Sequence, residues 1–151
     1  MKQQQLQETI DFLKSNGITS PAIGIVLGTG LGKLVEEISI EKEIPYSEIP
    51  HFPQATVEFH SGKLIYGELS DKKVIVMAGR FHLYEGYTPW EVTYGIRTMH
   101  GLGIKKLLIS NAAGAINLSY KKGDLMLIED HINLQGQSPL AFKGANTFGN
   151  I

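Results

Sequence analysis

AIGIVLGTGLGKL, residues 22–34, opens as an unbroken apolar run and closes as a glycine-rich turn. A strand with one face in water alternates apolar and polar residues. This run offers water nothing, so it reads as a strand covered on both faces. Leu31, Leu34, Val35 and Ile38 then recur as they would on a short helix. A buried strand feeding a helix through Gly28 to Gly32 is what an α/β sheet layered with helices requires.

The flanking sequence extends the same reading. Before the strand, Leu6, Ile10 and Leu13 fall at helical spacing, and Asn16-Gly17 supplies the stop for a first helix. After it, Pro45, Pro50 and Pro53 punctuate a stretch that reads as a surface loop. KLIYGEL (63–69) and KKVIVMAG (72–79) predict two strands joined in a hairpin by Ser70-Asp71. Thr88 and Glu91 form a capping box with Pro89 at the first helical position, and Val92, Ile96 and Met99 supply a buried stripe up to Gly101. KKLLISNAAG (105–114) and DLMLIEDHINL (124–134) read as two further buried strands.

A chain of 151 residues suits one domain and buries a sizeable core. Its formal charge is -1, with no lysine or arginine block to serve as a nucleic-acid footprint. Cysteine is absent, which excludes a disulfide framework, a thiol nucleophile and a thiolate metal site, and fits a reducing cytoplasm. The histidines at 51, 60, 82, 100 and 131 share no close metal-ligand spacing, so no metal is expected. The amphipathic amino terminus carries no long apolar stretch, and no membrane association is expected.

Three segments have the chemistry to meet an anion. In Gly28-Thr29-Gly30-Leu31-Gly32 the glycines let backbone N–H groups approach closely, and the Thr29 hydroxyl adds a donor. A tight turn without a ligand explains the same residues. GRFHLYEGY (79–87) follows an apolar strand. If it stays extended, Arg80, His82 and Tyr84 project to one side, with Phe81 and Leu83 on the other. Arginine clamps phosphate through two N–H groups, imidazole donates or moves a proton near neutral pH, and Glu85 can orient His82. The competing explanation is the wet side of an edge strand. Ser110-Asn111-Ala112-Ala113-Gly114-Ala115 lies at the carboxyl end of LLI, where ligands of open α/β sheets collect, although small residues there also serve close packing. On local grounds His60 is a loop histidine, Asp130-His131 a strand-end pair with ordinary hydrogen bonds, and Trp90 and Tyr94 helix packing.

GTGLGKL, FHSGKL, GRFHLYEGY and SNAAGAIN, in this order, resemble the purine nucleoside phosphorylases of the trimeric type. The resemblance implies a nucleoside phosphorylase-like fold, a mixed twisted β-sheet flanked by helices. It implies phosphorolysis of purine (deoxy)ribonucleosides to the free base and (deoxy)ribose 1-phosphate, without a cofactor and with inorganic phosphate as co-substrate. Residue by residue, it places Thr29, His60, Arg80, His82 and the Ala112 amide on phosphate. Glu85 becomes the partner that orients His82, so that His82 and Glu85 act together in catalysis. Tyr84 and Phe148 fall in the nucleoside site, Phe148 being lent by a neighbouring subunit of a homotrimer. The resemblance thus reverses the local reading of His60, and it implies a cytoplasmic enzyme of purine salvage.

The sequence departs from the pattern at Ala115, where the family commonly has a second glycine. Family chains also run to roughly twice this length, and their carboxyl-terminal half carries the residues that hold the purine. Residues 1–151 therefore match the amino-terminal portion of a single phosphorylase domain, and on its own that portion is expected to be inactive and prone to aggregate. Two alternatives accompany this expectation: a methylthioadenosine phosphorylase, and an inactive fragment that binds phosphate or only associates with subunits.

Overall fold

A computed structural model describes residues 2–28, 30–54 and 62–141. The chain divides into two units, Met1–Asn111 and Ala112–Ile151.

Among the described residues, the first unit holds all the helices and strands. Helix α1 (Lys2–Ser15) buries Leu6, Thr9, Ile10 and Leu13. It ends where Gly17 takes φ 90°, with Ile18 N–H donating to the Leu13 carbonyl and Gly17 N–H to that of Lys14. That paired closure is the Schellman stop which Asn16-Gly17 predicts. Five strands follow, β1 (Ile23–Val26), β2 (Ser39–Pro45), β3 (Lys63–Leu69), β4 (Lys72–Ala78) and β5 (Lys106–Ile109), with α2 (Pro89–Val92) and α3 (Tyr94–Gly101) between the last two. They form one mixed sheet in the order β2-β3-β4-β1-β5. β1 lies between β4 and β5 and runs parallel to both, while β2, β3 and β4 pair antiparallel. The mixed α/β architecture expected from the sequence is the one observed.

The hairpin pairs Lys63 with Ala78 through Leu69 with Lys72, and both Ser70 (φ 48°) and Asp71 (φ 58°) are left-handed. Such a two-residue turn matches the twist of the strands it joins. One face of the sheet packs Ile25, Leu27, Ile65, Val74 and Val76 against Ile38, Leu34 and Val35. On the other face α3 lies so close that a Cβ on Gly95 would meet Met77, and one on Gly24 would meet Met99. Thr9, fully buried, joins α1 to α3 and to the proline-rich stretch, sharing its hydroxyl with Tyr94 Oη at 2.8 Å and the Pro50 carbonyl at 2.7 Å.

The capping box at Thr88 is present in both directions, and Pro89 opens α2. The helix breaks at Thr93, and the buried positions are Tyr94, Gly95, Thr98 and Met99, so Val92 and Ile96 are only half-buried. Trp90 is half-buried too, with Arg97 at 4.4 Å and Lys2 at 4.9 Å over its ring. The Thr88 hydroxyl, and then its backbone N–H, hold the Glu91 carboxyl below its ordinary pKa. A carboxylate so depressed adds stability above its unfolded pKa, about 4.3, and that stability is lost as pH falls through the folded value. Thr88→Ala should therefore cost about 1 kcal/mol at neutral pH. Denaturant midpoints measured from neutral to acid pH should show the difference from wild type shrinking on acidification.

Four further expectations are corrected. The second helix is a six-residue 3-10 helix, Gly32–Glu37, with no buried residue. The stretch read as a proline-punctuated loop begins with strand β2, which ends on Pro45. A proline is tolerated there because a terminal position on an edge strand can forgo the missing N–H. β5 is exposed along its length, since it has β1 on one side and no strand on the other among the described residues. DLMLIEDHINL forms no strand: Leu125 and Leu127 are 97% and 95% exposed. An apolar run becomes a strand only with a neighbour to complete its ladder, and this one has none among the described residues.

Candidate functional site

Because β4, β1 and β5 are adjacent and parallel, their carboxyl ends share one edge of the sheet. The glycine turn leaves β1 there, GRFHLYEGY leaves β4, and Ser110-Asn111 leaves β5. The order of β1 between two strands that arrive later in the chain makes this a switch point, the place where open α/β sheets bind ligands.

Hydrogen bonds tie the three ends together. Gly28 N–H donates to Ser110 Oγ at 3.0 Å, and Ser110 Oγ donates to the Val26 carbonyl at 3.3 Å. Gly28 leaves no room for a side chain, since a Cβ would lie 2.4 Å from the Ser110 carbonyl oxygen and 2.9 Å from Asn111 Cα. That same carbonyl accepts from Arg80 Nη1 at 2.8 Å. Arg80 thus reaches from the end of β4 to the end of β5, across the end of β1.

From Arg80 the bonding continues to its neighbours. Arg80 Nε–H donates to His82 Nε2 at 3.1 Å, and His82 Nδ1 is 2.5 Å from Glu85 Oε1. An acceptor at Nε2 places the imidazole proton on Nδ1, where it faces the carboxylate, and so fixes the tautomer. The side chains of His82 and Glu85 are 17% and 5% exposed, which shields the pair while leaving an opening at the imidazole. GRFHLYEGY does not remain extended. β4 ends at Ala78, and Leu83–Glu85 makes one 3-10 turn closed by left-handed Gly86. That turn brings Glu85 back beneath His82, an arrangement a continued strand would not permit. Tyr84 stacks on the His82 ring, 4.6 Å between centroids, with 81% of its surface exposed. Phe81 points into the core at 2% exposure.

Of the residues singled out in the sequence, Arg80, His82, Tyr84 and Glu85 come together. Thr29, His60 and Phe148 lie outside the described residues. Ala112 belongs to the second unit and is exposed within it. In that unit, His131 N–H donates to Asp130 Oδ1 at 2.8 Å, the ordinary structural bond expected of the pair. Among the described residues no group of three or more His, Cys, Asp or Glu could hold a metal ion, and no helix is long and apolar enough to cross a membrane.

Ser110 was not singled out for its side chain, yet its hydroxyl and its carbonyl anchor the glycine turn and Arg80. The only signal in the sequence was its position as the first polar residue after LLI.

The family model for the phosphorylase superfamily matches residues 22–149. The chain belongs to the phosphorylase superfamily. Within it, the chain is 50% identical over 140 residues to purine nucleoside phosphorylase 1 of Geobacillus stearothermophilus, an alignment covering 93% of this chain and 51% of that protein. A crystal structure of Schistosoma purine nucleoside phosphorylase in complex with hypoxanthine matches 97% of this chain and 52% of that one, with TM-score 0.89 and 43% identity. Isoform 2 from Schistosoma mansoni, in complex with cytosine and ribose-1-phosphate, matches 80% of this chain and 42% of that one, with TM-score 0.75 and 45% identity. The chain thus spans about half the length of the superfamily members it matches.

Proposed function

We propose that this chain provides the phosphate side, and part of the ribose side, of a purine nucleoside phosphorylase site, with residues 1–151 forming the amino-terminal portion of one catalytic domain. The observation that carries the reading is the hydrogen-bonded line of Arg80, His82 and Glu85 at the shared carboxyl ends of β1, β4 and β5. Two of the three ligands named for the Schistosoma structures, hypoxanthine and ribose 1-phosphate, support it, being the two products of inosine phosphorolysis; the third, cytosine, is a pyrimidine.

In this reading phosphate attacks C1′ of the nucleoside while the bond to the base breaks, and the electron pair of that bond leaves with the purine. Positive charge develops on the ribose, so a phosphate held beneath the sugar both stabilises the transition state and supplies the nucleophile. Arg80 commits two of the five N–H groups of its guanidinium to Ser110 and His82, and this anchoring orients the plane that meets the anion. His82, held by Glu85, turns Nε2 to phosphate only by releasing the Arg80 Nε–H, accepting a phosphate proton there or, once protonated, donating from it. The family resemblance further assigns Thr29, His60 and the Ala112 amide to phosphate, and Tyr84 and a neighbour's Phe148 to the ribose. No cofactor enters this chemistry. A homotrimer and a cytoplasmic location accompany the same reading.

The test is phosphorolysis by a protein that joins this chain to the remaining half of a superfamily sequence. Hypoxanthine should be released from inosine only when phosphate is present. Turnover of methylthioadenosine alone would replace the substrate, and failure to bind phosphate would overturn the site. The 151-residue chain alone should show no turnover. Ile116, Leu118 and Leu125 are almost fully exposed in its second unit, which favours association or aggregation of the isolated chain. Release of hypoxanthine by that chain would contradict this part of the reading.

A further inference from the structure

Tyr46 starts a 3-10 turn, Tyr46–Glu48, directly after β2, at the far edge of the sheet from β5. Its ring is 1% exposed and packs on Phe52 at 4.8 Å and Phe81 at 5.4 Å. Packing alone would be served as well by phenylalanine. The hydroxyl, however, donates to the Gly79 carbonyl at 2.7 Å. Gly79 is left-handed, with φ 109°, at the point where the chain leaves β4 and turns toward Arg80. Tyr46 therefore grips the backbone on one side of Arg80 through Gly79, and the side chain on the other through Phe81. Burial pushes the phenol pKa well up, so the hydroxyl remains a donor throughout the ordinary pH range.

We propose that Tyr46 is a positioning residue for the anion site, its hydroxyl fixing the Gly79 carbonyl and thereby the backbone from which Arg80 and His82 are aimed. The proposal rests on the reading of Arg80 and His82 as phosphate ligands. Its mechanical core, that Tyr46 sets the geometry of Arg80, can be tested without phosphate. Removing the hydroxyl leaves a buried carbonyl without its partner, and the backbone at Gly79 shifts to find another.

The experiment is Tyr46→Phe in the protein that joins this chain to the remaining half of a superfamily sequence, followed by NMR of the Arg80 Nε–H and by titration with inorganic phosphate. Loss of the Tyr46 hydroxyl should speed hydrogen exchange at Arg80 Nε about tenfold and weaken phosphate binding by a similar factor. Thr98→Val is the control, because it removes another buried hydroxyl, bonded to the Tyr94 carbonyl at 3.0 Å and remote from Arg80 in the chain. It should leave both readouts unchanged, which separates positioning from general destabilisation. Unaltered Arg80 exchange in folded Tyr46→Phe overturns the proposal. A wild-type joined protein that binds no phosphate overturns the functional reading instead, and the Arg80 exchange still decides the role of Tyr46. Should the variant fail to fold, the wild-type hydroxyl proton decides it: a slowly exchanging resonance close to Gly79 supports the proposal, and a rapidly exchanging one overturns it.

Discussion

Arg80→Ala should weaken phosphate binding on the order of 100-fold while changing nucleoside binding by less than threefold. The asymmetry follows from geometry. Arg80 is held at the end of the sheet by the Ser110 carbonyl and by His82, and the proposed site assigns it to phosphate and not to the nucleoside. Hydrogen bonds to a charged group contribute roughly 1.5–3 kcal/mol each, and two such bonds to phosphate reach that factor. The substitution also removes the donor that fixes the His82 tautomer, so the second ligand is loosened along with the first. Calorimetric titration with phosphate and with inosine, in a protein carrying this chain and the base-binding half, measures both effects. Equal losses for the two ligands would refute the assignment of Arg80.

The second large effect belongs to Gly28. A methyl group at this position would sit 2.4 Å from the Ser110 carbonyl oxygen, the acceptor that anchors Arg80, and 2.9 Å from Asn111 Cα. These neighbours are backbone atoms, so relief requires the ends of β1 and β5 to part. Gly28→Ala should cost about 3 kcal/mol, the upper part of the range for overpacking, and should abolish measurable phosphate binding as Arg80 loses its anchor. Gly32→Ala is the natural comparison, because the space around Gly32 is open. It should bind phosphate as the wild type does. Thermal denaturation and phosphate titration of the pair would show whether the glycine turn is built for close approach at residue 28 alone. Comparable losses in both variants would mean that it is not.

Local patterns made most of the architecture legible. AIGIVLG, KLIYGEL and KKVIVMAG became β1, β3 and β4, and the Thr88 box opened the helix it predicted. Each signal is short-range, a run of apolar residues or a cap with its partner three residues on. β2 was missed because SIEKEIP is an exposed edge strand in which only Ile44 is buried, so it lacks the apolar face that marks a strand. DLMLIEDHINL was overread for the converse reason: its apolar residues satisfy a strand pattern that only a neighbouring ladder can realise. At the site, the residue types of GRFHLYEGY pointed to a cluster of Arg80, His82, Tyr84 and Glu85, which the structure does bring together, whereas the return of Glu85 beneath His82 depends on a turn that alternation along a strand does not anticipate. Ser110 and Tyr46 were illegible because their importance lies in backbone groups distant in the chain. One bonds Gly28, 82 residues away, and the other Gly79, 33 residues away.

The reach of Arg80 across the end of β1 to the Ser110 carbonyl has a consequence for the order in which the protein assembles. Contacts closing long loops form late, because the chain entropy must be given up before they are rewarded. β5, which has a single neighbouring strand among the described residues, docks against β1 without a second ladder there to retain it. Phosphate bound at Arg80 would favour only those molecules in which β5 has already arrived. At a hundredfold excess over its dissociation constant, a ligand confined to the native state adds about 2.7 kcal/mol to stability. Phosphate, if held at Arg80 as proposed, would thereby also be a latch on the strand at the edge of the sheet, and its concentration would set how tightly that latch is held.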